Sequence, residues 1–179
     1  MVLAAALATA LAGCGNKLET RTIGETEGLY IDIGDLKYQV QMSRILNPND
    51  IEDRTYLAGL PAGSAQLGPD EAWFGVWMRV ENTTSEKTLP AADRFEIVDT
   101  QENRFSPVAL QNNAFAYSPV DVGPKSVSPS ANSAAGEGVI QGSLILFKLT
   151  TESLANRPLE FRIQSPSNAD EVGIIDLDV

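Results

Sequence analysis

From Leu29 onward the chain repeats apolar residues with a period of two. Leu29-Tyr30-Ile31-Asp32-Ile33 alternates and stops at Gly34. Leu36 to Leu46 sets Leu36, Tyr38, Val40 and Met42 against Lys37, Gln39 and Gln41, the pattern of a strand buried on one face. Glu71 to Asn82 is the strongest run. It places Phe74, Val76, Met78 and Val80 on one face and Trp73, Gly75, Trp77 and Arg79 on the other. Phe95 to Asp99 and Arg104 to Pro107 flank a polar turn and predict a hairpin. Ser143 to Leu149 is apolar on both faces, so its inward face cannot be chosen from the pattern. Leu159 to Gln164 and Val172 to Val179 complete the set. A short helical turn capped by Asn49 or Asp50 is expected through Tyr56, ended by Gly59, and another over Thr151 to Asn156, with a long connection over Leu110 to Gly138. Seven or eight short strands with no long helix between them predict an all-β, immunoglobulin-like antiparallel sandwich. One long loop insertion, Asn47 to Pro69, interrupts it.

The first residues follow a different pattern. Met1 to Gly13 is uncharged and rich in Ala and Leu. It is shorter than the roughly 20 residues needed to span a bilayer and fits the apolar region of a signal peptide. It ends in Leu11-Ala12-Gly13-Cys14, a lipobox: small residues admit the lipoprotein signal peptidase, and the Cys14 thiol receives diacylglycerol and, with palmitate, forms a lipid anchor. No basic residue precedes the apolar run, which predicts a start codon further upstream. The expected division is a signal peptide at 1–13, a lipidated polar tether at 14–28 and the sandwich at 29–179. The expected location is the extracytoplasmic face of the cell membrane.

Composition narrows the chemistry. Of 179 residues, 13 are Lys or Arg and 24 Asp or Glu, a net charge of −11 that repels nucleic-acid backbones. Nucleic acid is therefore not an expected partner. One cysteine and no histidine leave no internal disulfide, no Ser–His–Asp or Cys–His machinery and no His-ligated zinc. No nucleotide-binding glycine pattern is present, and no cofactor is expected.

The run Trp77-Met78-Arg79-Val80-Glu81-Asn82-Thr83-Thr84, followed by Phe95-Glu96-Ile97-Val98-Asp99 and the late Gln141-Gly142-Ser143-Leu144 segment, resembles the uncharacterised Ig-like domains of Gram-positive secreted lipoproteins (domain of unknown function 4352). The resemblance covers about Tyr38 to Ile163. It implies an immunoglobulin-like sandwich at the cell surface, with no known catalytic residues. The chain departs from the pattern in the Asn47–Pro69 insertion and in having Asn103 where the hairpin usually carries glycine.

Two candidate sites remain. Asn49, Asp50, Glu52 and Asp53 offer the hard oxygen ligands calcium uses, although Ile51 sits where an EF-hand needs a ligand. The alternative is a solvated turn with a helix cap. Trp73 and Trp77 on one strand face could form an exposed platform for a partner, together with Tyr56, Leu57 and Leu60 of the insertion. Alternatively, those three residues fold down and cover the tryptophans, leaving Asp50, Glu52 and Asp53 as an exposed acidic rim. The leading expectation is a non-catalytic, surface-anchored binding or envelope-accessory module, with an envelope protein as the partner. The alternatives are a structural or chaperone-like partner of a membrane complex and a hydrolase using a pair of carboxylates.

Overall fold

The structure, a computed structural model, describes residues 20–64 and 66–178. The expected signal peptide, the expected lipobox residues Leu11, Ala12 and Gly13, and Cys14 lie outside the described residues. In chain order the elements are β1 (Ile23–Gly24), β2 (Tyr30–Ile33), β3 (Leu36–Leu46), α1 (Ile51–Tyr56), β4 (Glu71–Glu81), β5 (Leu89–Pro90), β6 (Arg94–Val98) and β7 (Arg104–Phe105). They continue as β8 (Asp121–Val122), β9 (Val127–Ser128), α2 (Ala134–Glu137), β10 (Ser143–Thr150), α3 (Thr151–Ala155), β11 (Leu159–Gln164) and β12 (Val172–Leu177).

The strands form an immunoglobulin-like sandwich. One sheet runs β10-β4-β3-β2, with β9 added to β4, and the other runs β1-β12-β11-β6-β7. A small third ladder joins β5 to β8. All pairings are antiparallel except β1 with β12. The β2–β3 hairpin closes on Gly34 and Asp35, both at positive φ (55° and 66°), which matches the right-handed twist of the flanking strands.

The inward faces of the two sheets make the core. Phe74, Val76, Met78 and Val80 of β4 pack with Ile145, Phe147 and Leu149 of β10 and with Ile97, Phe161, Ile163 and Ile175 across the gap. The Phe147 and Phe161 rings meet edge to face at 6.1 Å, and Phe95 stacks on Phe161 at 5.7 Å. The two-faced β10 segment resolves simply. Its odd positions face this core, while Leu144 and Leu146 join a second cluster on the outside of the sheet.

Three local expectations change. The alternation in β3 breaks at a bulge between Val40 and Met42, so Met42 turns out to solvent instead of following Leu36, Tyr38 and Val40 inward. The segment 14–28 is not tether throughout. Thr22 O accepts from Ile174 N (2.9 Å), β1 pairs with β12, and the Glu27 carboxylate accepts from Ser43 on the open edge of β3. The connection from Leu110 to Gly138 is not free either. With its neighbours it seals the edge of β10, where Val108 N donates to Leu146 O and Tyr117 N to Leu144 O, both at 2.7 Å. These bonds occupy a strand edge that would otherwise be open to pairing with another chain.

Candidate functional site

The outer face of β4 carries the tryptophans, and it is covered. Trp73 and Trp77 are 1% and 0% exposed. The insertion folds back through α1, whose N-cap Asp50 accepts from the N–H groups of Glu52 (2.9 Å) and Asp53 (3.1 Å). Tyr56 meets Trp77 edge to face at 5.1 Å and Phe115 at 5.0 Å. Leu57 is buried in the same cluster, with Leu60 and Leu67 packed against it. Gly75 makes room for this arrangement. A Cβ there would stand 2.8 Å from the Trp77 ring, so the indole lies across the strand. The segment after β7 closes the cover. Asn113 Nδ2 donates to the carbonyls of Thr55, Tyr56 and Ala58 (2.9–3.1 Å), satisfying the end of α1, and Gln111 N donates to Gly59 O. The platform reading of Tyr56, Leu57, Leu60, Trp73 and Trp77 is therefore corrected: this chain's own insertion occupies that face.

The acidic rim is corrected in part. Asp53 is 4% exposed. Its carboxylate takes Arg44 Nη2 at 2.5 Å and Asn47 N at 2.7 Å, and the Arg44 guanidinium lies 5.3 Å from the Trp77 ring centre. Burial pushes the Asp53 carboxyl up, but the Arg44 and Asn47 hydrogen bonds outweigh it and hold its pKa below the usual value. With Asp50 committed to the helix cap and Asp53 to Arg44, the oxygens proposed for calcium at Asn49, Asp50, Glu52 and Asp53 do not converge. Among the described residues no cluster of three metal-ligating side chains occurs.

An open concavity lies elsewhere among the described residues, at the end of the sandwich next to Thr20. It is a cleft of about 750 Å³ between the β2–β3 turn, the Thr83 to Pro90 segment and the loop before β12, with Thr20 on its wall. Its carboxylates have nearby donors. Asp32 takes Lys37 Nζ at 2.6 Å and Arg21 N at 3.2 Å, Asp35 takes Lys87 Nζ at 3.0 Å, and Glu171 takes Gly34 N at 3.0 Å.

Two buried polar residues organise the loops at opposite ends of the sandwich, and sequence reasoning missed both. Asn82, 0% exposed, donates to Lys87 O (2.7 Å) and Val122 O (2.8 Å) and accepts from Thr84, tying the cleft wall to β8. Asp99 accepts from Gln101 N, Asn103 N and Asn103 Nδ2 at 2.9 Å and from Asn156 Nδ2 at 3.3 Å, closing the β6–β7 hairpin and fastening it behind α3. Burial alone would raise its pKa. The donors of Asn103, Ser153 and Asn156 reverse this and drive it far below the ordinary range. This network replaces the glycine expected at Asn103, and the positive φ falls on Glu102 (64°) instead. The only available signal was the pair of short polar runs, Asn82-Thr83-Thr84 and Asp99 to Asn103.

No family model matches the chain, and no curated protein matches it in sequence. Solved structures match it in shape. A functionally unknown protein of Listeria monocytogenes EGD-e aligns over 84% of this chain and 82% of its own, with a TM-score of 0.51 at 11% identity. The yjhA protein of Bacillus subtilis aligns over 86% and 99%, with a TM-score of 0.49 at 10% identity. The ycdA protein of Bacillus subtilis, suspected of being a lipoprotein, aligns over 88% of this chain but 39% of its own, with a TM-score of 0.47 at 10% identity. The likeness to the Listeria protein is one of fold alone. No helix among the described residues is long and apolar enough to cross a membrane.

Proposed function

We propose that this chain is a lipid-anchored module of the outer face of the cell membrane, non-catalytic, serving as a binding or envelope-accessory domain of the Ig-like lipoprotein kind. The observation that carries the proposal is the position of the only cysteine. It falls directly after Leu11-Ala12-Gly13, at the end of an apolar run of signal-peptide length, and just ahead of a β domain whose first described residue is Thr20. Two acyl chains on Cys14 would hold the domain firmly, since each buried CH₂ contributes about 0.8 kcal/mol. A carboxylate-pair hydrolase is less well supported. The acids of the cleft, Asp32, Asp35 and Glu171, are each engaged by a lysine or a backbone N–H group rather than paired with one another. A partner from the envelope would find the tryptophan face closed and the entry-end cleft open.

The test is Cys14→Ser, expressed behind a supplied basic n-region. The expected result is release into the medium or accumulation of the unprocessed precursor. A variant that is still processed and still sediments with membranes would overturn the reading.

A further inference from the structure

We infer that the anchored domain stands on end, with its entry-end cleft facing the bilayer headgroups and the Asp99–Asn103 hairpin and α3 facing away. The inference rests on the lipid-anchor reading and adds an orientation to it. Hydrogen bonding with the fold begins almost at once. Arg21 N donates to Asp32, Asp32 N donates to Arg21 O (2.6 Å), and Thr22 and β1 are fixed to β12. The six steps of chain from Cys14 to Thr20 can span at most about 20 Å, even fully extended. Thr20 lines the cleft. The opposite end is separated from it by the 11 residues of β4, about 35 Å at strand rise. A tether of that length cannot bring the far end onto the membrane.

Charge does not draw the domain down onto the bilayer. The chain carries a net −11, which an anionic leaflet repels. The lysines are not spread evenly. Of the five, Lys17 lies in the tether segment. Lys37 and Lys87 pair with Asp32 and Asp35 on the cleft rim, and Lys125 donates to Thr83 O beside it. Lys148 alone is elsewhere, at Glu71. Because Asp32 and Asp35 offset their partners, the attraction is small. With Glu171 also lining the cleft, it is the short tether and not charge that sets the rim against the headgroups. The partner this surface fits is therefore the bilayer itself, and any ligand of the cleft must approach along the membrane.

The experiment uses the chain's lack of other cysteines. Lipidation consumes Cys14, so a cysteine introduced at Ser85 or Ser167 (cleft rim), or at Gln101 or Glu152 (far end), is the only free thiol. All four positions are exposed. Each lipidated variant is labelled with a fluorophore in vesicles carrying headgroup nitroxides, and lipidation is confirmed by mass. The expected result is quenching of the Ser85→Cys and Ser167→Cys labels and none at Gln101→Cys or Glu152→Cys. Inserting a long Gly-Ser linker after Gly15 should abolish the difference. A lipidated protein quenched equally at both ends overturns the orientation and leaves the anchor standing. Absence of lipid on Cys14 overturns the anchor reading and the orientation with it.

Discussion

The two faces of β4 are equally dry and are kept so by different means. Inward, Phe74, Val76, Met78 and Val80 meet a second sheet whose strands alternate in the same way. Outward, Trp73 and Trp77 meet a loop insertion and the segment after β7, held by one short helix, one ion pair and one asparagine. The inner face is built from a repeating pattern and the outer face from single residues in specific roles. The inner face should therefore resist any one conservative change, while the outer cover should depend on a few side chains whose importance the alternating pattern does not announce.

The largest expected effect is on the inner face. Val76→Asp places an unpaired charge among fully buried neighbours, at a cost of several kcal/mol, and should unfold the domain. A circular-dichroism melt checks this; an unchanged melting point would break the account of the core. Next is removal of the cover itself. Deleting Asn49 to Gly63 should expose the tryptophans, red-shift their emission and promote aggregation while the far-UV β signal persists. Unchanged emission and solubility would mean that other segments bury them.

A glycine pair then sharpens the comparison. Gly59 (φ 81°) and Gly63 (φ 89°) are both left-handed. A Cβ at Gly59 would come within 1.9 Å of Gln111 O, whereas at Gly63 it meets nothing within 4 Å. Gly63→Ala should cost only the conformational penalty of about 1 kcal/mol. Gly59→Ala should cost clearly more, because the cover must also part from Gln111. Equal losses in chemical denaturation would show that Gln111 does not hold the insertion.

The smallest effect is on pH dependence. Asp53 in the cover and Asp99 at the hairpin both have folded-state pKa values lowered below the unfolded value of about 3.9. Their contribution is fully present above that pH and is lost as pH falls through the folded values. Stability should therefore be flat near neutrality and decline below about pH 4. Asp53→Asn should lower the plateau and shallow the acid limb. An acid limb identical to that of the unmodified chain would remove Asp53 from the account.

The same contrast explains what the sequence made legible. β4, β6, β11 and a cap at Asn49 or Asp50 could be read because alternation and capping are local signals, and the structure selects Asp50. The return of the insertion onto the tryptophans could be anticipated because Tyr56, Leu57 and Leu60 are too apolar to leave in water. The burial of Asp53 could not, because it depends on Arg44 projecting from a strand whose register a bulge had shifted. β1 was hidden because a two-residue strand has no period to detect, and Asn82 and Asp99 because their partners lie up to 40 and 57 residues away. The proposed function rests on the N-terminal segment, on the four consecutive residues Leu11 to Cys14.

That segment therefore offers the most direct measurement. The protein is recovered from cell membranes and its N-terminal peptide is weighed intact. The account predicts a chain beginning at Cys14, with residues 1–13 removed and diacylglycerol on the thiol. An N-terminal peptide that still carries residues 1–13, or a Cys14 with a free thiol in membrane-bound protein, would contradict it.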